Sequence, residues 1–273
     1  MSTPQYTPHG LVYERAGCSG DAPIVLIHAG VADRTMWDAQ WEALTAKFDV
    51  VRFDLRGFGE SSRPPRGRWS HTEDVLSALG YLDISRCHLV GASFGAGVAT
   101  EVALLKPGLA LSLLLCPPGG SLLAELTEDL KDFFEAEKSA LAAGDLDAAV
   151  EANITAWVVG RDREPSDVAS SVQDHVRRMQ RRAFEVAEFL GETGEAEFDP
   201  PALERLPDLT VPVLVLVGGH DLDTTRDSAE RVCQALPDVR RVDWPDVAHL
   251  PPLERPEDFL TLLLEWVAQH PSR

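Results

Sequence analysis

The chain has 273 residues, 44% hydrophobic and 25% charged, enough for one large domain or one domain with an insertion. Asp and Glu outnumber Lys and Arg by 44 to 25, and the net charge of −19 argues against nucleic acid or an anionic membrane surface as partner. No apolar run approaches the roughly 18 residues of a membrane span. Met1–Gln5 has no basic-then-apolar signal pattern, and the scattered Cys18, Cys87, Cys116 and Cys233 have no metal or disulfide spacing, so a cytoplasmic protein without structural metal is expected.

Apolar runs and helix-like stretches alternate through the first 116 residues. Pro23–Ile27 reads as a strand, continuous in apolar residues as a strand covered on both faces should be. A helix is expected over Trp37–Lys47, a strand over Val50–Phe53 and a helix over His71–Leu82. Cys87–Val90 is the next strand, Ala96–Leu105 a helix ended near Pro107-Gly108, and Leu111–Cys116 a further strand. This order predicts an α/β fold, a mostly parallel central sheet with helices on both faces.

The alternation stops at Pro117-Pro118-Gly119-Gly120. From Ser121 to about Phe198 only helical periodicity is present, as in Leu126, Leu130, Phe133, Phe134, Glu137 and Leu141, and again in Val168, Val172, Val176 and Met179. Such a block between two strands reads as an inserted helical cap. The expected division is a core over 1–120, a cap over 121–205 and the rest of the core over 206–273. Strands return at Val211–Val217 and near Arg240–Trp244, and a helix closes the chain from Pro256 to about Ala268.

The chemistry starts at Gly91-Ala92-Ser93-Phe94-Gly95, between a strand and a helix. A serine flanked by glycines there fits a sharp strand-to-helix turn that holds its hydroxyl clear of the sheet. A serine hydroxyl is a poor nucleophile near neutral pH and needs a base, which needs an orienting acid. Both follow in chain order: Gly218-Gly219-His220-Asp221 delivers Asp221 after one strand, and Val247-Ala248-His249-Leu250 delivers His249 after the last. Asp223 is the fallback acid. An oxyanion formed at Ser93 would be met by the Phe94 N–H, at the positive end of the following helix, and by Gly30 or, second, Val31 in the turn His28-Ala29-Gly30-Val31.

Four stretches together carry a family resemblance: His28-Ala29-Gly30, Asp54-Leu55-Arg56-Gly57-Phe58-Gly59-Glu60-Ser61, the turn at Ser93, and Ala248-His249-Leu250-Pro251 with Glu254 and Pro256 beyond. The chain resembles a capped serine hydrolase of the α/β-hydrolase superfamily. It departs in having His28-Ala29 where the family usually has His-Gly, and Ala96 where many members have a second glycine; both replacements are small. Members with an aspartate nucleophile are excluded by Ser93, and an acid from the strand before the cap is excluded by Cys116-Pro117. Size, Met36-Trp37 and the single helical insertion are most similar to the esterase and 3-oxoadipate enol-lactonase-like group.

The resemblance implies a hydrolase for a small-molecule carboxylic ester or lactone, without a cofactor, working through an acyl-enzyme on Ser93. The same fold and triad also serve lyases, ligand sensors, C–C hydrolases and perhydrolases, which are the alternatives. Val31, Trp157, Phe133 and Leu250 are candidate substrate contacts; Trp157 and Phe133 either line the acyl pocket or pack the cap on itself. His28, Asp54 and Arg56 read as structural, satisfying and pinning loop backbone. The cluster Arg177, Arg178, Arg181 and Arg182 reads as a solvated helix face.

Overall fold

The computed structural model describes residues 5–18, 20–65, 67–191 and 194–271. Its strands are β1 (Gln5–Tyr6), β2 (Val12–Ala16), β3 (Ile24–Ile27), β4 (Val50–Asp54), β5 (Cys87–Ser93), β6 (Ala110–Pro118), β7 (Val213–Gly218) and β8 (Val239–Trp244). Its helices are α1 (Asp38–Thr45), α2 (His71–Tyr81), α3 (Phe94–Leu105), α4 (Glu128–Ala142), α5 (Leu146–Asn153), α6 (Ser170–Leu190), α7 (Asp223–Ala235), α8 (Pro251–Glu254) and α9 (Pro256–Gln269). The strands form one sheet in the order β1-β2-β4-β3-β5-β6-β7-β8. β2 runs antiparallel to β1 and β4, and all pairings from β4 to β8 are parallel.

Strand periodicity divides the apolar residues between two cores. Val25, Ile27, Val51 and Phe53 face one that includes Leu79 of α2, Val102 of α3 and Val232 of α7. Ile24, Leu26 and Val50 face the other, with Leu44 of α1 and Phe259 and Leu263 of α9. β3 neighbours both β4 and β5, so consecutive crossovers leave it in opposite directions. The carboxyl ends of β3 and β5 therefore flank the switch point of the sheet, where open α/β folds place their ligands.

Between β6 and β7 lie α4, α5, a π-helical turn over Ile154–Val159, and α6. Buried Gln173, Val176, Met179, Gln180, Ala183 and Val186 recur on α6 at three- and four-residue spacing, an apolar stripe interrupted by two glutamines. Val150, Ile154, Val158, Val176 and Met179 join the α1/α9 core.

The expected core strands and helices are all present, with shifts at their ends. β5 runs on through Ser93 and α3 begins at Phe94 rather than Ala96; a 3-10 turn, Arg34–Trp37, precedes α1. Two features were not anticipated. The β1–β2 edge is short, and α7 is a polar helix with its buried stripe at Thr224, Thr225, Ser228, Ala229 and Val232.

The β5–α3 turn is dictated by close backbone approach. Ser93 has φ +51° and ψ −115°, a conformation that serine adopts only where its surroundings impose it. A Cβ on Gly95 would overlap the His28 carbonyl oxygen and lie 2.8 Å from the Ile27 carbonyl carbon; one on Gly91 would lie 2.6 Å from Ala96 Cα. The loop after β4 is pinned from within. Asp54, fully buried, accepts from Arg34 N–H and Glu60 N–H (both 2.8 Å) and pairs with the Arg34 guanidinium. Burial pushes the Asp54 carboxyl up to about 6, with Arg34 opposing the shift. His28 Nε2 accepts from Leu55 N–H at 2.9 Å, which leaves the proton on Nδ1 to donate to the Ala29 carbonyl at 2.8 Å. Arg56 forms a bidentate pair with Asp74 (2.7 and 2.8 Å). Asp54 and Arg56 both pin loop structure as expected, each through a different partner.

Two predictions follow from this geometry. Gly95→Ala forces backbone on backbone and should cost about 1–3 kcal/mol, read as a lower midpoint in thermal unfolding; an unchanged midpoint would contradict the close approach. Burial lowers the His28 pKa from 6.5 to about 4, so its imidazole stays neutral across the interval of about pH 5–8 where histidines ordinarily titrate. NMR of its ring C–H should show no titration there, and a midpoint near the ordinary value would refute the burial argument.

Candidate active site

Three loops at the carboxyl ends of strands bring Ser93, His249 and Asp221 into one hydrogen-bonded row. Ser93 Oγ lies 2.7 Å from His249 Nε2, and His249 Nδ1 lies 2.9 Å from each oxygen of Asp221. Asp221 is 0% and His249 3% exposed. An ionised carboxylate only accepts, so Nδ1 carries the ring proton and Nε2 turns its lone pair to the Ser93 hydroxyl, which donates. Asp223, two residues on, pairs with Arg161 instead. His220 points away from this row, its Nδ1 2.8 Å from the Arg161 carbonyl oxygen.

The histidine loop is held by a buried ion pair. Glu254, from α8, accepts from Ala248 N–H at 2.7 Å and from Arg163 Nη1 at 2.7 Å. Arg163 also donates to the carbonyls of Val158 and Val159 (2.8 and 2.7 Å), at the end of the π-helical turn. Burial pushes the Glu254 carboxyl up, against Arg163 and the Ala248 N–H, which favour its charge. The same turn carries Trp157, whose ring centroid lies 4.4 Å from that of His249; Phe133 packs on Trp157 at 5.1 Å. Gly160 ends the turn with φ +75°, where a Cβ would lie 2.7 Å from Ala248 Cβ.

Ser93 and His249 open into a cavity of about 490 Å³. Gly30, Val31 and Phe94 line it from the core, and Phe133 and Trp157 from the helices between β6 and β7. A Cβ on Gly30 would meet Phe94 Cβ at 3.4 Å, so the turn after β3 and the start of α3 are in contact beside Ser93. Leu250 stays out of the cavity lining: it is fully buried in the α1/α9 core, immediately before α8. The arginine cluster stays out as well. Arg177 pairs with Glu151 and Asp174, Arg181 with Asp147, Arg178 donates to the Asp174 carbonyl and Arg182 to the Gly59 carbonyl.

Several lining residues carried no signal in the sequence. His71, the first residue of α2, packs edge-on to Trp69 (4.9 Å) and Phe94 (5.0 Å), and burial, with His28 and Arg56 adding, lowers its pKa to about 3. Glu137, Asn153, Gln180 and Glu195 also line the cavity. They occupy isolated polar positions without motif spacing, and only the tertiary fold brings them together.

Solved structures share this architecture, and known proteins are similar to the chain in sequence. An esterase from Thermogutta terrifontis superposes with a TM-score of 0.75 at 27% identity, over 95% of this chain and 94% of its own. A protein of Pantoea ananatis provisionally named carbamate hydrolase RutD is 28% identical over 93% of this chain and 92% of its own. The 3-oxoadipate enol-lactonase 1 of Acinetobacter baylyi is 24% identical over 90% and 89%. The sequence profile described as the alpha/beta hydrolase family matches residues 24–262. Matched over nearly its whole length and folded around the sheet order described above, the chain belongs to the alpha/beta hydrolase family.

Proposed function

We propose that the protein hydrolyses a carboxylic ester or lactone of a small molecule through an acyl-enzyme on Ser93. The observation that carries this reading is the continuous row Ser93 Oγ, His249, Asp221 at 2.7 and 2.9 Å, opening into a cavity. Ser93 Oγ attacks the carbonyl carbon while His249 Nε2 takes its proton. Asp221 keeps the imidazole in the tautomer that can do so and stabilises the cation formed. The oxyanion is met by the N–H groups of Phe94 and Gly30, with Val31 as the second choice beside Gly30. One such donor is worth roughly 3–4 kcal/mol in a comparable site. The proton on Nε2 then passes to the departing alkoxide oxygen, leaving the acyl group on Ser93. Water attacks the acyl carbon, His249 accepts its proton, and collapse releases the acid and returns the proton to Ser93.

The helical segment between β6 and β7 acts in this reading as the cap over 121–205. Support comes from the lining: Phe133, Glu137, Asn153, Trp157 and Gln180 share the cavity with Ser93 and His249. Trp157 and Phe133 then serve as substrate contacts. The esterase and enol-lactonase names of the similar proteins point to the same reaction class.

Ser93→Ala should fold normally and lose turnover of an activated-ester series by at least about a thousandfold, and it should not form the transient acyl adduct that intact protein mass is expected to record for the wild type. Turnover undiminished in that variant would refute the nucleophile. Asp221→Asn, which keeps the shape and favours the wrong imidazole tautomer, should lower kcat by something on the order of 10⁴-fold while KM moves little; a wild-type kcat would remove Asp221 from the mechanism.

A further inference from the structure

The cavity is furnished for a positively charged guest. Trp157 packs on His249 and Phe133 on Trp157; Glu137 lies four residues beyond Phe133 on α4, about 6 Å along the helix. Glu137 accepts a hydrogen bond from Asn153 Nδ2 at 2.5 Å, and Asn153, 2% exposed, is itself fixed by donating to the Ala149 carbonyl at 3.0 Å. Asparagine brings no charge, and among the described residues Glu137 makes no ion pair. From α6, Gln180 also lines this cavity at 5% exposure, and its Oε1, almost wholly covered, has no hydrogen-bond partner among the described residues. A buried acceptor left without a donor is costly unless a ligand supplies one.

The remaining charges point the same way. Glu195 lines the cavity, its Oε1 3.4 Å from Nε2 of His71, and its carboxyl is pushed up by burial and by Glu101, Asp74 and Glu197, a run of like charge. Arg56 is the one cation among the described lining residues, and its guanidinium is spent: it pairs with Asp74 and donates to the carbonyls of Arg63 (2.8 Å) and His9 (2.9 Å).

We propose that the substrate carries a protonated amine, held by the Glu137 carboxylate and Gln180 Oε1 while its carbonyl carbon sits at Ser93. Trp157 and Phe133 offer apolar surface to the linking methylenes and ring faces to the cation. A carboxylate-bearing isostere meets uncompensated negative charge and is rejected. The inference rests on the hydrolase reading for the role of Ser93, and on the cavity alone for the preference of charge.

The test is calorimetric binding of butyl-, hexyl- and octylammonium against butanoate, hexanoate and octanoate, to the wild type, Glu137→Gln and Gln180→Leu. An ammonium ion of fitting length should bind about tenfold more tightly than its carboxylate isostere, the ratio expected of one charge-assisted hydrogen bond. Glu137→Gln should bring that ratio towards unity, and Gln180→Leu should reduce it. Equal binding, tighter carboxylate, no ammonium binding, or an unchanged ratio in Glu137→Gln each overturns the inference. Ester turnover is read separately. Ser93-dependent turnover without ammonium preference overturns this inference alone; ammonium preference without Ser93-dependent turnover overturns the hydrolase reading alone.

Discussion

Ser93 can hold its backbone at φ +51° because glycines on either side let three strand ends crowd against it. Gly95 seats the first turn of α3 against the end of β3, and Gly91 gives the same turn room beside β5. Gly119, after β6, comes so near that a Cβ there would lie 2.9 Å from Ser93 Oγ. One point therefore receives the loops from β3, β5 and β6, and the positive end of α3 faces it. Everything downstream depends on that convergence. The sheet order places β3 beside β5, the Asp54 and His28 contacts stiffen the loops around β3 and β4, and the cavity opens where these loops meet. Strain of order 1–3 kcal/mol at a single residue persists because no neighbouring backbone can yield without displacing a strand.

The histidines illustrate how partners, rather than residue type, set a role. His28 accepts from one backbone N–H and donates to one carbonyl, and burial keeps it neutral, so it serves as a clip between β3 and β4. His88 in β5 is likewise held neutral by burial, its Nδ1 2.9 Å from Ser112 Oγ on the neighbouring strand. His220 spends Nδ1 on a carbonyl. His249 differs from these three in having a carboxylate on one nitrogen and a hydroxyl on the other. Only that combination lets a ring take up a proton on one side while the resulting charge is balanced on the other.

What the sequence discloses follows from how local the signal is. β3 and β7 are continuous apolar runs, and the three residues of the Ser93 row stand on short loops after strands, so periodicity and chain order suffice to find them. β2 and α7 escape notice for opposite reasons. β2 is five residues with Glu14 and Arg15 inside it, and the buried Glu14 pairs with Arg52 of β4 and with Arg34. α7 buries threonine and serine, residues that carry no apolar periodicity. Leu250, next to His249 in the chain and immediately before α8, is buried in the α1/α9 core, a placement that adjacency in the chain does not reveal. Glu137, Asn153, Gln180 and Glu195 come from four separate segments, and no pattern within any one of them announces a shared cavity.

The buried pair Arg163–Glu254 joins the two kinds of information. A buried ion pair adds little net stability over an apolar replacement, but removing one partner strands the other, so its geometry is kept. Here Glu254 fixes the loop that carries His249, while Arg163 gathers the last carbonyls of the turn that carries Trp157. The turn that carries Trp157 is thereby fastened to the loop that carries His249. Trp157 lies against the His249 ring, with centroids 4.4 Å apart. In the proposed reading strand ends set the chemistry and the inserted helices set what reaches it, and Arg163 is one of several groups that join the two, beside the Arg161–His220 and Asp129–Asp223 contacts.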